Sequence, residues 1–267
     1  MTASSGTTIP RSVRVDAASP APWLTHGEVS VVHLGQSALV LCDRRGHFVV
    51  SSPAFGLAPG GIELLPADLA HLRARFAASR PTLAHWRPAA VELVDLSIQP
   101  VRVDPGALEV LTAAIDVRQH ADALDPRRQR STAPALVRAA LAGDPLAGPL
   151  LRLIGAGPGS TPAGDDVVVG VLAALRATGR DGAAAAIARD AVPLFDRTTS
   201  ASRMYLSAAA DGRFAERVHE LVQGLGSTTA ARTAARSAAG WGATSGLDLL
   251  SGIVAAVDSP ALSRRAA

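Results

Sequence analysis

Residues 11–104 carry their apolar positions in short runs that are separated by turn residues. Several runs are rich in β-branched side chains, and some alternate apolar with polar positions, a pattern typical of strands. Residues 43–46 form a turn that joins two runs as a hairpin. The runs are 29–34, 38–42, 47–50 and 91–96, with 98–103 as a further candidate. We therefore expect a small β-rich domain, an antiparallel barrel or sandwich, after a disordered tail at residues 1–10.

Beyond residue 104 the apolar positions recur with the longer period of helices. This pattern predicts a helix and a polar linker at residues 105–131 and a helical domain at 132–267. Strands and helices do not alternate, so the expected fold class is α+β, with neither a Rossmann nor a P-loop arrangement. The predicted helices are a brief one at 66–79 and then 107–124, 133–142, 146–154, 167–178, 182–192, 200–210, 214–225, 228–239 and 246–256.

A glycine-rich segment, residues 155–166, leads into the nearly uncharged helix at 167–175. The first N–H groups of a helix have no partner within it, and the helix dipole adds positive charge there, so such a place favours an anion. Thr161 is the expected N-cap, and Pro162 suits the first helical position. The candidate anion contacts are Gly157, Gly159, Ser160, Thr161 and Gly164.

The pattern Gly-x-Asp-x-x-x-Gly occurs twice, at residues 164–170 and again at 246–252. In each copy the Asp and the second Gly are four residues apart, so they share one helix face, and the Gly lets another backbone come close. We infer that two helix N-termini face one site and that each brings one Asp. The alternative is coincidence between two helices rich in Ala and Gly.

Two further segments combine hydroxyl groups with Arg or Gly. Residues 197–203 contain two Thr, two Ser and two Arg, more than helix capping needs, and Arg makes two-pronged contacts with carboxylate or phosphate. Residues 240–246 are rich in Gly and hydroxyls, for which an ordinary helix–helix turn is the alternative. The candidate anion contacts here are Arg197, Thr198, Thr199, Ser200, Ser202, Thr244, Ser245 and Gly246.

Composition and charge exclude several classes of function. The 26 basic residues, all Arg, nearly balance 23 acidic ones, and no basic helix face with interleaved aromatic residues indicates a nucleic-acid partner. The single Cys42 excludes an intrachain disulfide, and the seven His show no metal-ligand spacing. The sequence shows neither a signal-peptide pattern nor an apolar run of membrane-spanning length, so we expect a soluble, cytoplasmic protein without a membrane partner.

The chemistry-bearing segments resemble a bacterial family, the AllH-type subunit of oxamate carbamoyltransferase, which is linked to allantoin catabolism. Its members carry Gly-x-Gly-Pro-Gly-x-Thr-Pro-x-Gly-Asp-Asp, then Thr-Thr-x-x-Ser followed by Gly-x-Phe, and finally Gly-x-Thr-Ser-Gly-x-Asp. The chain departs from the usual pattern at Ser160, where a bulky residue is usual, and at Ala243, where His is common and could transfer a proton. The matching residues are 155–166, 198–202 with 212–214, and 242–248.

The resemblance implies a transferase subunit that acts with other carbamoyltransferase subunits in the phosphorolysis of oxalurate to oxamate and carbamoyl phosphate, or the reverse. The expected ligands are therefore small anions such as carbamoyl phosphate, oxamate or oxalurate. We expect the catalytic residues to be Asp165, Asp166 and Asp248. The alternative function is a non-catalytic regulatory or scaffolding subunit that binds an anionic metabolite.

Three carboxylates beside an anion need an explanation. A Mg²⁺ ion held by Asp166 and Asp248 would bridge them to a phosphate, and no other cofactor is expected. Alternatively, an Asp accepts hydrogen bonds from the substrate's amide or acts as a base.

Overall fold

The computed structural model describes residues 13–18, 29–43, 46–78, 90–119 and 127–258. The predicted tail at residues 1–10 lies outside these ranges. The chain divides into two compact units, Met1–Leu96 and Ser97–Ala267. Across the described ranges, no helix has both the length and the apolar character needed to cross a membrane.

In its described residues, the first unit contains one sheet and one helix. Its six strands lie in the order β2-β3-β4-β5-β1-β6. Helix α1 covers the sheet, because Leu69, Leu72 and Phe76 recur at helical spacing and pack with sheet residues such as Val15 and Leu41. The elements are β1 Val13–Asp16, β2 Ser30–Leu34, β3 Ala38–Asp43, β4 Gly46–Ser51, β5 Ile62–Leu64, α1 Pro66–Ala78 and β6 Val91–Val94.

The sheet corrects the expectation of an antiparallel barrel or sandwich. It is open, since β2 and β6 form its two edges and do not pair with each other. It is also mixed, because β4 pairs with β5 and β1 pairs with β6 in parallel. The predicted hairpin of β3 and β4 is present, with Asp43 opposite Gly46. The insertion of β1 between β5 and β6 depends on contacts distant in sequence, which a local pattern does not encode.

The second unit is helical in its described part. Helices α5 and α10 lie at its centre, with almost every residue buried, and the other helices surround them. Two short 3-10 helices span Val192–Arg197 and Gly224–Gly226. The α-helices are α2 Pro105–Gln119, α3 Arg127–Ala142, α4 Ala147–Leu153, α5 Ala163–Ala177, α6 Asp181–Ala191, α7 Ser200–Ala210, α8 Glu216–Gln223, α9 Thr228–Ala239 and α10 Ser245–Val257.

Two segments differ from the sequence expectation. Residues 98–103 form no strand; the backbone N–H of Val101 donates to the carbonyl of Ala177 at the end of α5 instead. Helix α3 begins at Arg127, inside the stretch predicted as a polar linker. Local polarity therefore did not distinguish a loop from the first turn of a helix.

Candidate functional site

The two central helices cross where their glycines meet. A Cβ atom on Gly170 would lie 2.1 Å from the carbonyl oxygen of Leu249, and one on Gly252 would lie 2.1 Å from that of Val167. No side chain fits at either position, so the backbones of α5 and α10 touch. The close approach that the repeated pattern predicts is therefore present.

The two central helices also begin in the same way. The carbonyl of Pro162 accepts a hydrogen bond from the N–H of Asp166 at 3.2 Å, and the carbonyl of Thr244 accepts one from Asp248 at 3.0 Å. Asp166 and Asp248 thus occupy equivalent positions in the first turns of α5 and α10. Both are buried, at 8% and 2% exposure.

The start of α5 lies one residue later than expected. Pro162 has a ψ angle of 140°, which is outside the helical range, so Pro162 rather than Thr161 is the N-cap residue. The Oγ1 atom of Thr161 instead lies 3.0 Å from Oγ of Ser245, the first residue of α10. This contact joins the N-terminal ends of the two helices.

Two predicted anion contacts serve packing. Gly164 and Gly246 are buried, and their N–H groups donate to the carbonyls of Ala156 at 2.9 Å and Trp241 at 3.1 Å. A Cβ on Gly164 would lie 2.0 Å from the carbonyl oxygen of Leu153, at the end of α4. Their N–H groups are therefore engaged within the protein, and the contact of Gly164 and Gly246 with an anion stays a prediction.

Asp165 is fully engaged with its surroundings. It is 0% exposed, and its Oδ1 accepts a hydrogen bond from the N–H of Gly155 at 2.8 Å. Its Oδ2 accepts from Oγ of Ser202 at 2.7 Å and also from Oγ1 of Thr198. Asp165 therefore ties the glycine-rich loop to the start of α7, which favours a structural role over the predicted catalytic one.

Asp166 follows directly in the chain, yet one of its two carboxyl oxygens has no partner among the described residues. Its Oδ2 is buried and accepts no hydrogen bond from any residue that the structure describes. Burial raises the pKa of Asp166 well above its usual range. Hydrogen bonding by the side chains of Ser245 and Thr161 lowers this pKa, while the charges of Asp248 and Asp165 raise it further.

Tyr205 is a candidate that sequence reasoning missed. It is the only Tyr in the chain, and it follows Ser202 by three residues on α7, so the two share a helix face. Burial raises the pKa of Tyr205 above its usual range, and the charge of Asp166 raises it further. Because Ser202 binds Asp165, Tyr205 lies on the face of α7 that packs against the start of α5. The rarity of Tyr and its spacing from Ser202 were the available signals.

The hydroxyl-rich segment reaches the same loop. Thr199 is the N-cap of α7, since its Oγ1 accepts a hydrogen bond from the N–H of Ser202 at 3.1 Å. The Thr199 hydroxyl also donates to the carbonyl of Ser160. Arg197 and Ser200 are exposed, and the Arg197 guanidinium forms no ion pair with the described residues. Thr199 thus has a capping and bridging role, and Arg197, two residues before it, has an exposed guanidinium.

The loop before α5 presents several backbone donors. The N–H groups of Gly157, Gly159, Ser160, Thr161 and Ala163 donate to no acceptor in the described part of the chain. Positive φ angles of 118° and 96° at Gly157 and Gly159 give the loop its shape. These donors, at the N-terminal end of a buried helix, form a polar surface suited to an anion.

The carboxylates offer a small set of ligands for a metal ion. Among the described residues, no group of three or more His, Cys, Asp or Glu side chains is arranged to hold one. Asp166 and Asp248 supply two carboxylates, and a Mg²⁺ ion there would take its other ligands from a bound phosphate and water. The positive ends of α5 and α10 oppose a cation at this place.

Comparison with known protein families gives a match over this part of the chain. Residues 153–257 match the family described as oxamate carbamoyltransferase subunit AllH. No curated protein and no solved structure is significantly similar to the chain. The matched region runs from the last residue of α4 to the last residue of α10, so it includes the loop, both central helices and the segment that binds Asp165. The resemblance predicted from the motifs is confirmed, and the chain is AllH-like over residues 153–257.

Proposed function

We propose that the protein is a subunit of a carbamoyltransferase that acts on oxamate or oxalurate and carbamoyl phosphate. The match to the AllH family over residues 153–257 supports the reaction class. The substrates are small anions, and the loop before α5 offers a place for one. Other carbamoyltransferase subunits would complete the enzyme.

The free N–H groups of the glycine-rich loop carry the proposal of an anion site. Single interactions at a helix end contribute roughly 0.3–2 kcal/mol, so the helix dipole alone gives weak binding. The unpaired N–H groups of the loop and the guanidinium of Arg197 would add to it. This combination suits a phosphate or carboxylate group.

In this proposal the three aspartates have different roles. Phosphorolysis joins a phosphate oxygen to the carbamoyl carbon of oxalurate and breaks the bond from that carbon to the oxamate nitrogen, which takes up a proton. Asp166 and Asp248, at the meeting point of two helix N-termini, would hold or deliver that proton. Asp165 would act indirectly, by holding the loop through Gly155.

Binding of phosphate to the complete protein tests the anion site. Calorimetric titration is carried out with and without Mg²⁺ on the wild type, on Ser160→Asp and on Ser207→Asp. Ser160 is exposed on the loop, so a new charge there should weaken phosphate binding about tenfold or more. Ser207 is exposed on α7 and serves as a matched control. Equal binding by both variants, or none by the wild type in the presence of partner subunits, would reject the anion site.

The reaction itself is tested with the other carbamoyltransferase subunits present. The expected result is that oxalurate and phosphate give carbamoyl phosphate, and that Asp166→Asn lowers kcat while phosphate binding persists. A variant that retains full activity would support the second function, a regulatory or scaffolding subunit. The internal hydrogen bonds of Asp165 favour that alternative to some extent, because part of the motif serves structure.

A further inference from the structure

One oxygen of the buried Asp166 carboxyl, Oδ2, lacks a hydrogen-bond donor among the described residues. The residue is 8% exposed, and Oδ2 has no partner among the described residues. Leaving a buried acceptor unpaired costs about 1–3 kcal/mol, and the neighbouring Asp165 shows that this fold can satisfy a carboxylate completely. The missing donor is therefore expected from a ligand.

Three kinds of ligand group could donate to this oxygen: a cation, a hydroxyl or an amide. A metal ion would find few protein ligands, because no group of three or more His, Cys, Asp or Glu side chains among the described residues is arranged to hold one. Tyr205 lies one helical turn beyond Ser202 on α7, and Ser202 binds Asp165, the neighbour of Asp166, at 2.7 Å. The Tyr205 phenol makes no hydrogen bond with the described residues, so its hydroxyl is the donor that this face of α7 can offer to a ligand. An acceptor oxygen beside a hydroxyl donor matches a primary amide, whose N–H donates and whose carbonyl accepts.

We infer that Asp166 is a specificity residue that binds the primary amide of a ligand whose anionic group lies on the N–H groups of the adjacent loop. This rests on the anion site proposed above. It assigns amide recognition to Asp166 rather than to Asp165, and it adds Tyr205 as the partner of the amide carbonyl. The site would distinguish a carbamoyl group from an acetyl group of the same shape.

Two isosteric pairs of probes test this directly with the complete protein. Oxamate and pyruvate differ only in an amide NH₂ against a methyl group, and so do phosphonoacetamide and 2-oxopropylphosphonate. Calorimetric titration in EDTA should show that the wild type binds each amide about tenfold more tightly than its methyl partner. Inorganic phosphate serves as the probe of the anion site alone.

Variants then assign the preference to Asp166. Asp166→Leu should bind both members of a pair equally and should still bind phosphate, whereas Asp166→Asn should keep part of the preference because a carboxamide also pairs with an amide. Tyr205→Phe should weaken the amide probes without affecting phosphate. Asp181→Asn, an exposed change in the first turn of α6, is the control and should leave all affinities unchanged.

The outcomes separate this inference from the proposed function. If the wild type binds phosphate but does not distinguish amide from methyl, the anion site stands and amide recognition is refuted. A preference that appears only with Mg²⁺ and is lost in EDTA also refutes it, because Asp166 would then bind metal. If no probe binds, phosphate included, both the proposed function and this inference fail.

Discussion

Two neighbouring aspartates have opposite environments. Asp165 accepts hydrogen bonds from one backbone and two side-chain donors, whereas Asp166 has a buried oxygen without a donor. We therefore expect two residues of the same type, one position apart, to affect the stability of the fold differently. The contrast separates a residue that maintains the loop from one that is available to a ligand.

Replacing Asp166 by Asn should stabilise the protein, increasingly so as the pH rises. The raised pKa means that folded Asp166 keeps a proton that the unfolded chain releases above its ordinary value of about 3.9. The free energy of unfolding of the wild type therefore falls as the pH rises from about 3.9 towards the raised pKa of folded Asp166. The decrease is at most about 1.4 kcal/mol per pH unit. The Asn side chain does not titrate, so the free energy of unfolding of the variant does not decrease for this reason. Urea denaturation without divalent cations, at a series of pH values from about 4 to 8, measures the difference; parallel stability curves would contradict the expectation.

The same substitution at Asp165 should have the opposite effect. With the Asn oxygen towards Gly155, its NH₂ group faces Thr198 and Ser202, whose hydroxyls must then accept instead of donating. The three stronger hydrogen bonds to a carboxylate are thereby replaced by weaker bonds between neutral groups in a buried place. We expect a loss of about 2–4 kcal/mol in the free energy of unfolding. Urea denaturation near neutral pH measures it. A loss below about 1 kcal/mol would show that the network is not needed for stability.

At the scale of elements, the helix pair α5 and α10 places the site. Its contact depends on the two glycines at the crossing, where even one methyl group would overlap a carbonyl. Other helices surround the pair and bury it. The relative positions of Asp166 and Asp248 therefore follow from the backbone packing of these two helices.

Gly170→Ala and Gly252→Ala should each destabilise the protein by about 3 kcal/mol or more, because the new Cβ lies 2.1 Å from a carbonyl oxygen. Gly182→Ala is the matched control: it lies in α6 with no atom within 4 Å of its Cβ position. There, Ala should stabilise by about 0.5–1 kcal/mol through helix propensity. Thermal and urea unfolding measure all three, and a mild effect at both crossing glycines would mean that the helices can separate.

The repeated motif shows which part of the site can be predicted from the sequence. The spacing of Gly, Asp and Gly is local information, and it correctly indicated a close helix contact at Gly170 and Gly252. The role of Asp165 depends on Ser202, 37 residues away, and no local pattern contains that pairing. For the same reason the sheet order was not predictable, whereas the hairpin of β3 and β4 was.

At the scale of the whole molecule, the two units have separate hydrophobic cores. One core draws its buried residues from positions between Val13 and Phe76, and the other from positions between Ala107 and Val257. No core residue of one group belongs to the other. Each core is therefore assembled from its own part of the chain.

This separation predicts that a fragment comprising residues 97–267 folds alone. It should show a helical circular-dichroism spectrum and a cooperative thermal transition, because all buried residues of its core are retained. The full-length protein is the reference for both measurements. A broad transition, or a spectrum without helical minima, would show that the fragment depends on the first unit.

The glycine crossing of α5 and α10 has a consequence for how this protein can evolve. The spacing of the two helices is set where backbone meets backbone, so substitutions among the many Ala, Val and Leu side chains around them can accumulate without displacing Asp166 or Asp248. Only 3% of the residues in this chain are aromatic, yet it can then keep the positions of these two aspartates while the side chains of its core change. Divergent relatives should accordingly share the few glycines and aspartates of this crossing and little else.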